Sequence, residues 1–439
     1  MIVVGGGPAG AATALHLARR DPAIARRTLI IEKARHPRPK VCAGGLIPHT
    51  LDCIRELGVD LSVPHVMVDR ARVEVPGRRV EIAGRGFCAV VRRAEFDAAL
   101  LAAARMTGVE VHENEKVRLI ARVDDGIRIA TDRAEYVTRL MIGADGSGSL
   151  VRRSLFPPDA SPVIGRAVMA DLPIANGCRW DGHARARYDF DFRAVPGGLA
   201  GYAWIFPCLI DGEPHANVGV YSRHAKRDGR RVAALAGLLS PRPPARASNH
   251  DARGPDYDVR RSSRDASRSD LARGIDLVTL LRAAQSEIGG AAVRHQSAPI
   301  RCHGRSAFAA PHVLLVGDAA GAEPLMGEGI SFAFEYGRWA ADEIARAFAV
   351  SDWTMLGSEA RFRASWVGKK LQRLAQAATM FYGPGARLWL GLAARWPRAQ
   401  RIGLCWYNGV DGWDRRSGWD ALRAAVGRSA VAREPLTMQ

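Results

Sequence analysis

The chain has 439 residues, 47% of them hydrophobic and 25% charged, which describes an ordinary globular protein with room for two or three packed domains. Its net charge of +18 rests on arginine, and the basic residues are spread along the chain without a nucleic-acid-reading module, so no nucleic-acid partner is expected. No run of 18 apolar residues occurs, which argues against a membrane-spanning helix.

The arginine excess reads either as compositional bias or as attraction to an anionic partner such as membrane lipid. Seven cysteines are odd in number, scattered, and form no Cys-x-x-Cys pair. Neither a disulfide framework nor a zinc site is expected. His16, His49, His112 and His303 fall at no metal spacing, so no metal is expected either. The chain opens directly on a strand, leaving no room for a signal peptide. A cytoplasmic location fits, with peripheral contact on the inner face of a membrane as a further expectation.

Residues 1–35 read as strand, turn, helix, strand: the apolar run Ile2–Val4, the turn Gly5–Gly10, the helix Ala11–Arg20 and the buried strand Thr28–Glu32. The turn, Gly5-Gly6-Gly7-Pro8-Ala9-Gly10, is a Gly-x-Gly-x-x-Gly between strand and helix. Gly5 permits the tight turn, Gly7 lets the backbone approach a pyrophosphate, and Gly10 allows close helix–strand packing. The helix N-terminus adds amide N–H groups and partial positive charge. Glu32 ends the second strand twenty-two residues after Gly10, where an acid binds ribose hydroxyls. Together these residues predict a dinucleotide without a 2′-phosphate.

Farther along, Phe96–Arg105 reads as an amphipathic helix, followed by strands at Val109–His112, Arg118–Arg122, Ile127–Thr131 and Leu140–Ala144. From 165 to 222 the pattern turns to β-type runs, including Ala203–Phe206 and Ala216–Tyr221. Residues 241–274, rich in Arg, Asp, Ser and Pro, predict a disordered insertion. The strand Val313–Val316 and the helix Ser331–Phe348 follow. The last third is helical and tryptophan-rich, and Ala386–Trp396 is apolar with basic flanks. That stretch suits either an interfacial segment or a helical cap on the core.

A second glycine fingerprint for a nicotinamide domain is absent. Instead the chain carries Gly143-Ala144-Asp145-Gly146 and Gly317-Asp318-Ala319-Ala320-Gly321. With the N-terminal turn, these resemble the aromatic-hydroxylase-type flavoproteins, in which one FAD lies along a single Rossmann-like domain. Arg93-Ala94-Glu95-Phe96-Asp97 resembles that family's Arg-x-x-Phe-Asp helix start, whose arginine contacts FAD. From the residues alone, Asp145 and Asp318 also read as helix caps.

Three further stretches resemble the geranylgeranyl reductase family more narrowly. Pro39-Lys40-Val41-Cys42-Ala43-Gly44-Gly45-Leu46 is similar to its Cys-Gly-Gly segment, with Ala43 where a glycine is usual. Gly201-Tyr202-Ala203-Trp204-Ile205-Phe206-Pro207 matches its Tyr-x-Trp-x-Phe-Pro segment. Gly317–Ile330 follows its flavin-facing loop, while Tyr221 stands where a glycine is usual. The resemblance covers roughly 1–222 and 297–345.

The resemblance implies an α/β fold: a Rossmann-like FAD-binding domain from 1–160 and 297–350, an interleaved β-rich substrate domain at 161–296, and C-terminal helices from 351 to 439. It implies that FAD meets Gly5, Gly7, Ala9, Gly10, Glu32, Lys33, Cys42, Ala43, Gly45, Arg93, Val117, Asp145, Gly317, Asp318, Pro324, Gly327, Gly329 and Ile330. Cys42, Gly44 and Gly45 are the expected catalytic segment, with Cys42 read either as a flavin-proximal thiol or as a small buried filler. Tyr202, Trp204 and Phe206 alternate with period two and share one strand face. That face is an aromatic wall for an apolar or lipid substrate, or ordinary sheet core.

The implied activity is FAD-dependent reduction of carbon–carbon double bonds of an isoprenoid, with NAD(P)H or another donor as transient reductant. A flavin monooxygenase is the runner-up. A halogenase is weaker, since no lysine lies between Lys40 and Lys116. A flavin-binding protein without catalysis is the alternative from another class.

Overall fold

The computed structural model describes residues 1–60, 62–159, 162–174, 180–223 and 296–408, with scattered positions from 415 to 423. Its architecture is α/β. A six-stranded sheet runs Ala309–Ala310, Val313–Leu315, Met141–Gly143, Ile2–Val4, Leu29–Ile31, Glu110–His112. All neighbours in it are parallel except the short Ala309–Ala310 edge. The strands Ile2–Val4, Met141–Gly143 and Val313–Leu315 are buried throughout, as parallel strands covered on both faces must be.

The helix Pro8–Arg20 is buried from Pro8 to Leu17 and packs on the long helix Ile330–Val350. A Cβ at Gly337 would sit 2.7 Å from the Thr13 backbone nitrogen, so a bare glycine sets how closely the two helices approach. The carboxyl ends of the parallel strands deliver the Gly5–Gly10 turn, Glu32, Asp145 and Asp318 to one edge of the sheet. Ligands of open α/β sheets bind at that edge.

A second sheet has eight strands, in the order Gln296–Arg301, Ile164–Pro173, Glu213–Ser222, Gly201–Ile210, Arg187–Asp191, His65–Val75, Arg78–Val91, Gly45–Leu46. A three-stranded sheet, Val117–Val123, Gly126–Thr131, Glu135–Thr138, flanks the first. The chain crosses between the large sheets more often than a division at 160 and 297 allows. The hairpin His65–Val91 lies inside 1–160 yet belongs to the second sheet, and so does Gln296–Arg301. The expected insertion at 241–274 lies outside the described residues.

Helix Trp366–Phe381 buries Val367, Leu371, Leu374 and Ala378 in the core around the first sheet, while Ala386–Ala393 and Pro397–Asn408 pack toward the second. Ala386, Leu390 and Ala394 join its aromatic core cluster. Among the described residues, no helix is long and apolar enough to cross a membrane.

Candidate flavin site and apolar cavity

Two cavities meet between the sheets. The first is a polar cleft of about 810 Å³ along the carboxyl edge of the parallel sheet. Gly5, Gly7, Ala9, Glu32, Lys33, Arg93, Val117, Asp145 and Asp318 line it, with Gly327, Gly329 and Ile330 at one end. The second is an apolar cavity of about 580 Å³ beneath the second sheet and the C-terminal helices. Cys42, Gly327, Gly329 and Ile330 border both, so the cavities adjoin at these residues.

The glycine turn is built by contact. Gly5 has φ +110°, and a Cβ there would lie 2.4 Å from the Ala144 carbonyl oxygen. A Cβ at Gly10 would lie 2.0 Å from the Gly5 carbonyl oxygen. A Cβ at Gly7 would instead meet only an Arg38 terminal nitrogen at 3.4 Å, because this position faces the cleft. Glu32, 4% exposed, accepts hydrogen bonds from Gly6 N at 2.8 Å and Ala34 N at 2.9 Å. Its carboxylate therefore holds the glycine turn as well as lining the cleft.

Arg93 donates twice to Asp97, at 2.7 and 2.9 Å, and both side chains are buried. Arg38, which the sequence reading passes over, lies 3.8 Å from Glu32 and 3.5 Å from Asp97 and also lines the cleft.

Asp145 has a double position. One carboxylate oxygen accepts from Leu150 N at 2.6 Å and Val151 N at 3.1 Å, capping the helix Leu150–Leu155. Its other oxygen is buried without a hydrogen-bond partner among the described residues, and burial pushes its carboxyl pKa upward. Asp318 accepts from the Ser147 hydroxyl at 3.0 Å and sits 3.6 Å from where a Gly329 Cβ would be. An open backbone cradle at Gly7, an orphaned buried acceptor on Asp145 and a cation at Arg38 fit a dinucleotide with hydroxyls and phosphates.

Five expected cofactor residues take other positions. Gly10, Gly317 and Pro324 do not line the cleft among the described residues. Gly10 carries the helix–turn contact. Gly317, at φ +58°, brings the late strand to the first helix, where its Cβ would lie 2.6 Å from that of Ala9. The Pro324 carbonyl accepts from Arg223 at 2.6 Å. Ala43, Gly44 and Gly45 line the apolar cavity rather than the cleft. Gly44, at φ +82°, lies so close to Val91 that a Cβ would stand 1.8 Å from its carbonyl oxygen.

Tyr202, Trp204 and Phe206 line the apolar cavity and are also buried in the core of the second sheet. The strand is sheet core, and the same face borders the cavity. Tyr188 stacks on Phe206 at 5.0 Å, and Phe190 and Phe192 meet Tyr202 edge-on and tilted. The sequence reading omits these three, although Tyr188-Asp-Phe190-Asp-Phe192 carries the same period-two signal. On the other face Asp189 pairs with Arg72 and Arg187.

Tyr221, where the family usually has glycine, donates from its hydroxyl to the buried Glu323 at 2.6 Å. Glu323 also accepts from Arg223 at 3.2 Å and Gly327 N at 2.9 Å. Tyr202 donates to the Met326 carbonyl at 2.6 Å. Two tyrosines thus pin the loop bordering both cavities to the aromatic sheet.

One of the histidines does meet other ligand-type side chains among the described residues. His49, Cys53 and Glu335 offer ligand atoms within 4.8 Å of one another. Sequence spacing hides the group because Glu335 comes from the distant helix Ile330–Val350. His49 and Glu335 lie 3.0 Å apart, and the Cys53 thiol donates to Glu335 at 3.5 Å. Arg338 stands 3.5 Å from the other Glu335 oxygen. The guanidinium disfavours a second cation there, and burial with Glu335 keeps Cys53 protonated. The group pins two helices together.

Asp318→Ala is expected to weaken flavin binding about ten- to a hundredfold, the loss of one charge-assisted hydrogen bond of roughly 1.5–3 kcal/mol. Unchanged affinity in a flavin titration would confine Asp318 to its bond with Ser147.

Comparison with known proteins agrees with this geometry. Residues 1–160 match the model of the FAD binding domain family. A menaquinone reductase of Mycolicibacterium smegmatis is 30% identical over 85% of this chain and 84% of its own length. A geranylgeranyl diphosphate reductase of Rhodobacter capsulatus is 28% identical over 80% and 75%. The crystal structure of a geranylgeranyl bacteriochlorophyll reductase-like protein from Thermoplasma acidophilum superposes with a TM-score of 0.64 at 19% identity, covering 98% of this chain and 97% of that one. The glycine turn, the two aspartate loops and these likenesses converge: the chain is an FAD-dependent oxidoreductase and belongs to the geranylgeranyl reductase family.

Proposed function

We propose that this enzyme reduces carbon–carbon double bonds of a long isoprenoid substrate, with NAD(P)H or another donor supplying the electrons. The observation that carries this reading is the apolar cavity adjoining the flavin cleft at Cys42, Gly327 and Gly329. A hydrocarbon chain needs apolar area and few hydrogen bonds, and the aromatic wall offers that. The two similar reductases, named for menaquinone and geranylgeranyl diphosphate, act on molecules that fit the same description.

In this reading Gly5 and Gly7 admit the pyrophosphate, Glu32 takes ribose hydroxyls, Asp318 accepts hydrogen bonds from hydroxyls of the ribityl–pyrophosphate part, and Asp145 lies near the flavin. Bound FAD supplies the hydride. The small residues Ala43–Gly45 on one side and the glycines Gly327 and Gly329 on the other let backbone close around the reacting region and exclude water. Reducing an alkene also takes a proton. Tyr202 and Tyr221 hold protons at their hydroxyls on the cavity wall, since burial first and Glu323 second raise both phenols' pKa values.

Anaerobic incubation of the reduced holoenzyme with geranylgeranyl diphosphate, followed by mass analysis, tests the proposal. A product heavier by two hydrogens per reduced bond is expected. A product heavier by one oxygen in air would assign the chain to the monooxygenases instead.

A further inference from the structure

Helix Ala386–Ala393 buries one face and leaves another bare. Ala386, Leu390 and Ala394 pack into the aromatic core. Leu388 and Leu392, on the opposite face, are 62% and 49% exposed, and Trp396, one turn farther, is 37% exposed. Spacing of four residues puts Leu388 and Leu392 in one stripe, and Trp396 follows in the turn just past the helix end. Met380, 60% exposed, and Trp389, 47% exposed, are both surface residues and part of the apolar cavity's lining. The bare face is therefore continuous with the cavity mouth. A clustered apolar surface of this kind marks an interaction site, unlike scattered exposed leucines.

The charges around it identify the partner. Residues 386–408 contain Arg387, Arg395, Arg398 and Arg401 and no aspartate or glutamate, and the acid-free stretch extends from 360 to 410. Arg387 and Arg395 are exposed beside the leucines. Apolar side chains including tryptophan, on a stretch with exposed arginines and no acidic residue of its own, complement the headgroup region of an anionic bilayer, where rings sit among headgroups and guanidiniums meet phosphates.

We infer that the face formed by Leu388, Leu392 and Trp396 docks on an anionic lipid bilayer and presents the cavity mouth at Met380 and Trp389 to the membrane. The contact is superficial, because no described helix is long and apolar enough to cross. Docking is independent of which substrate the cavity takes.

Flotation of the holoenzyme with phosphatidylcholine vesicles, with and without phosphatidylglycerol, tests the inference. The protein is expected to float with the anionic vesicles, less so as salt rises, and little with phosphatidylcholine alone. The triple variant Leu388→Ser/Leu392→Ser/Trp396→Ser should lower the floated fraction about tenfold or more while keeping its flavin. These three side chains lie outside the cavity lining, so flavin absorbance reports folding separately. Wild-type protein that stays at the bottom of the gradient, or a variant that floats as well as the wild type, would overturn the inference. So would a dimer in lipid-free solution that the triple variant dissolves, since a second copy would then own the face.

Discussion

Replacing Gly7 by leucine is expected to abolish FAD retention and leave the flavin-free fold intact. Gly7 caps the first helix in an extended conformation, φ −75° and ψ −176°, which any residue adopts. A Cβ there meets only the flexible end of Arg38, so the fold loses little. The space the leucine would fill is where a pyrophosphate approaches the backbone. Gly10→Leu makes the contrast. Its side chain would be driven into the Gly5 carbonyl and the βαβ unit itself would fail. Flavin absorbance per mole of purified protein and the thermal midpoint of the stripped proteins separate the two. Gly7→Leu should purify colourless with a midpoint within a few degrees of stripped wild type. Full flavin content in that variant would move the pyrophosphate elsewhere.

That contrast also shows what the sequence carries. The βαβ opening was legible because its glycines, apolar runs and closing acid lie within 32 residues, and local spacing reports local geometry. Asp145 and Asp318 were legible for the same reason, each directly after a short apolar strand. The roles within the fingerprint were less so. Gly7 and Gly10 look alike in sequence, yet one faces the cleft and the other a carbonyl oxygen. The hairpin His65–Val91 was missed because its polar alternation is irregular and its sheet partners, Arg187–Asp191 and Gly45–Leu46, are remote in sequence. Arg38 and the His49–Cys53–Glu335 group escaped for a similar reason: each is completed by one partner from a helix far along the chain, Asp97 for the first and Glu335 for the second. The substitution at Tyr221 looked like a departure from the family. Its reason, a bond to the buried Glu323, appears only when two distant segments are brought together.

Arg93→Met is expected to destabilise the flavin-free protein by about 3–5 kcal/mol, the cost of leaving a buried carboxylate without its main partner. Asp97 is fully buried, and Arg93 meets it with two donors at 2.7 and 2.9 Å. Burial opposes the charge on Arg93, but the adjacent Asp97 overrides it and raises the guanidinium's pKa. Arg38, at 3.5 Å, is too distant to replace the lost geometry. The prediction concerns the pair rather than the arginine, so a double variant decides it. Arg93→Met/Asp97→Leu removes both charges and fills the space with apolar atoms. It should recover most of the loss, because replacing a buried ion pair whole is far milder than breaking it. Denaturant unfolding of the stripped proteins measures both, since bound FAD would add its own stabilisation by mass action. A double variant as unstable as Arg93→Met would attribute the loss to packing around the arginine stem. Arg93 also borders the cleft beside Lys33 and Val117. If the double variant folds like wild type yet binds FAD weakly, the guanidinium serves the cofactor directly, and the carboxylate's part is to hold it at the cleft wall.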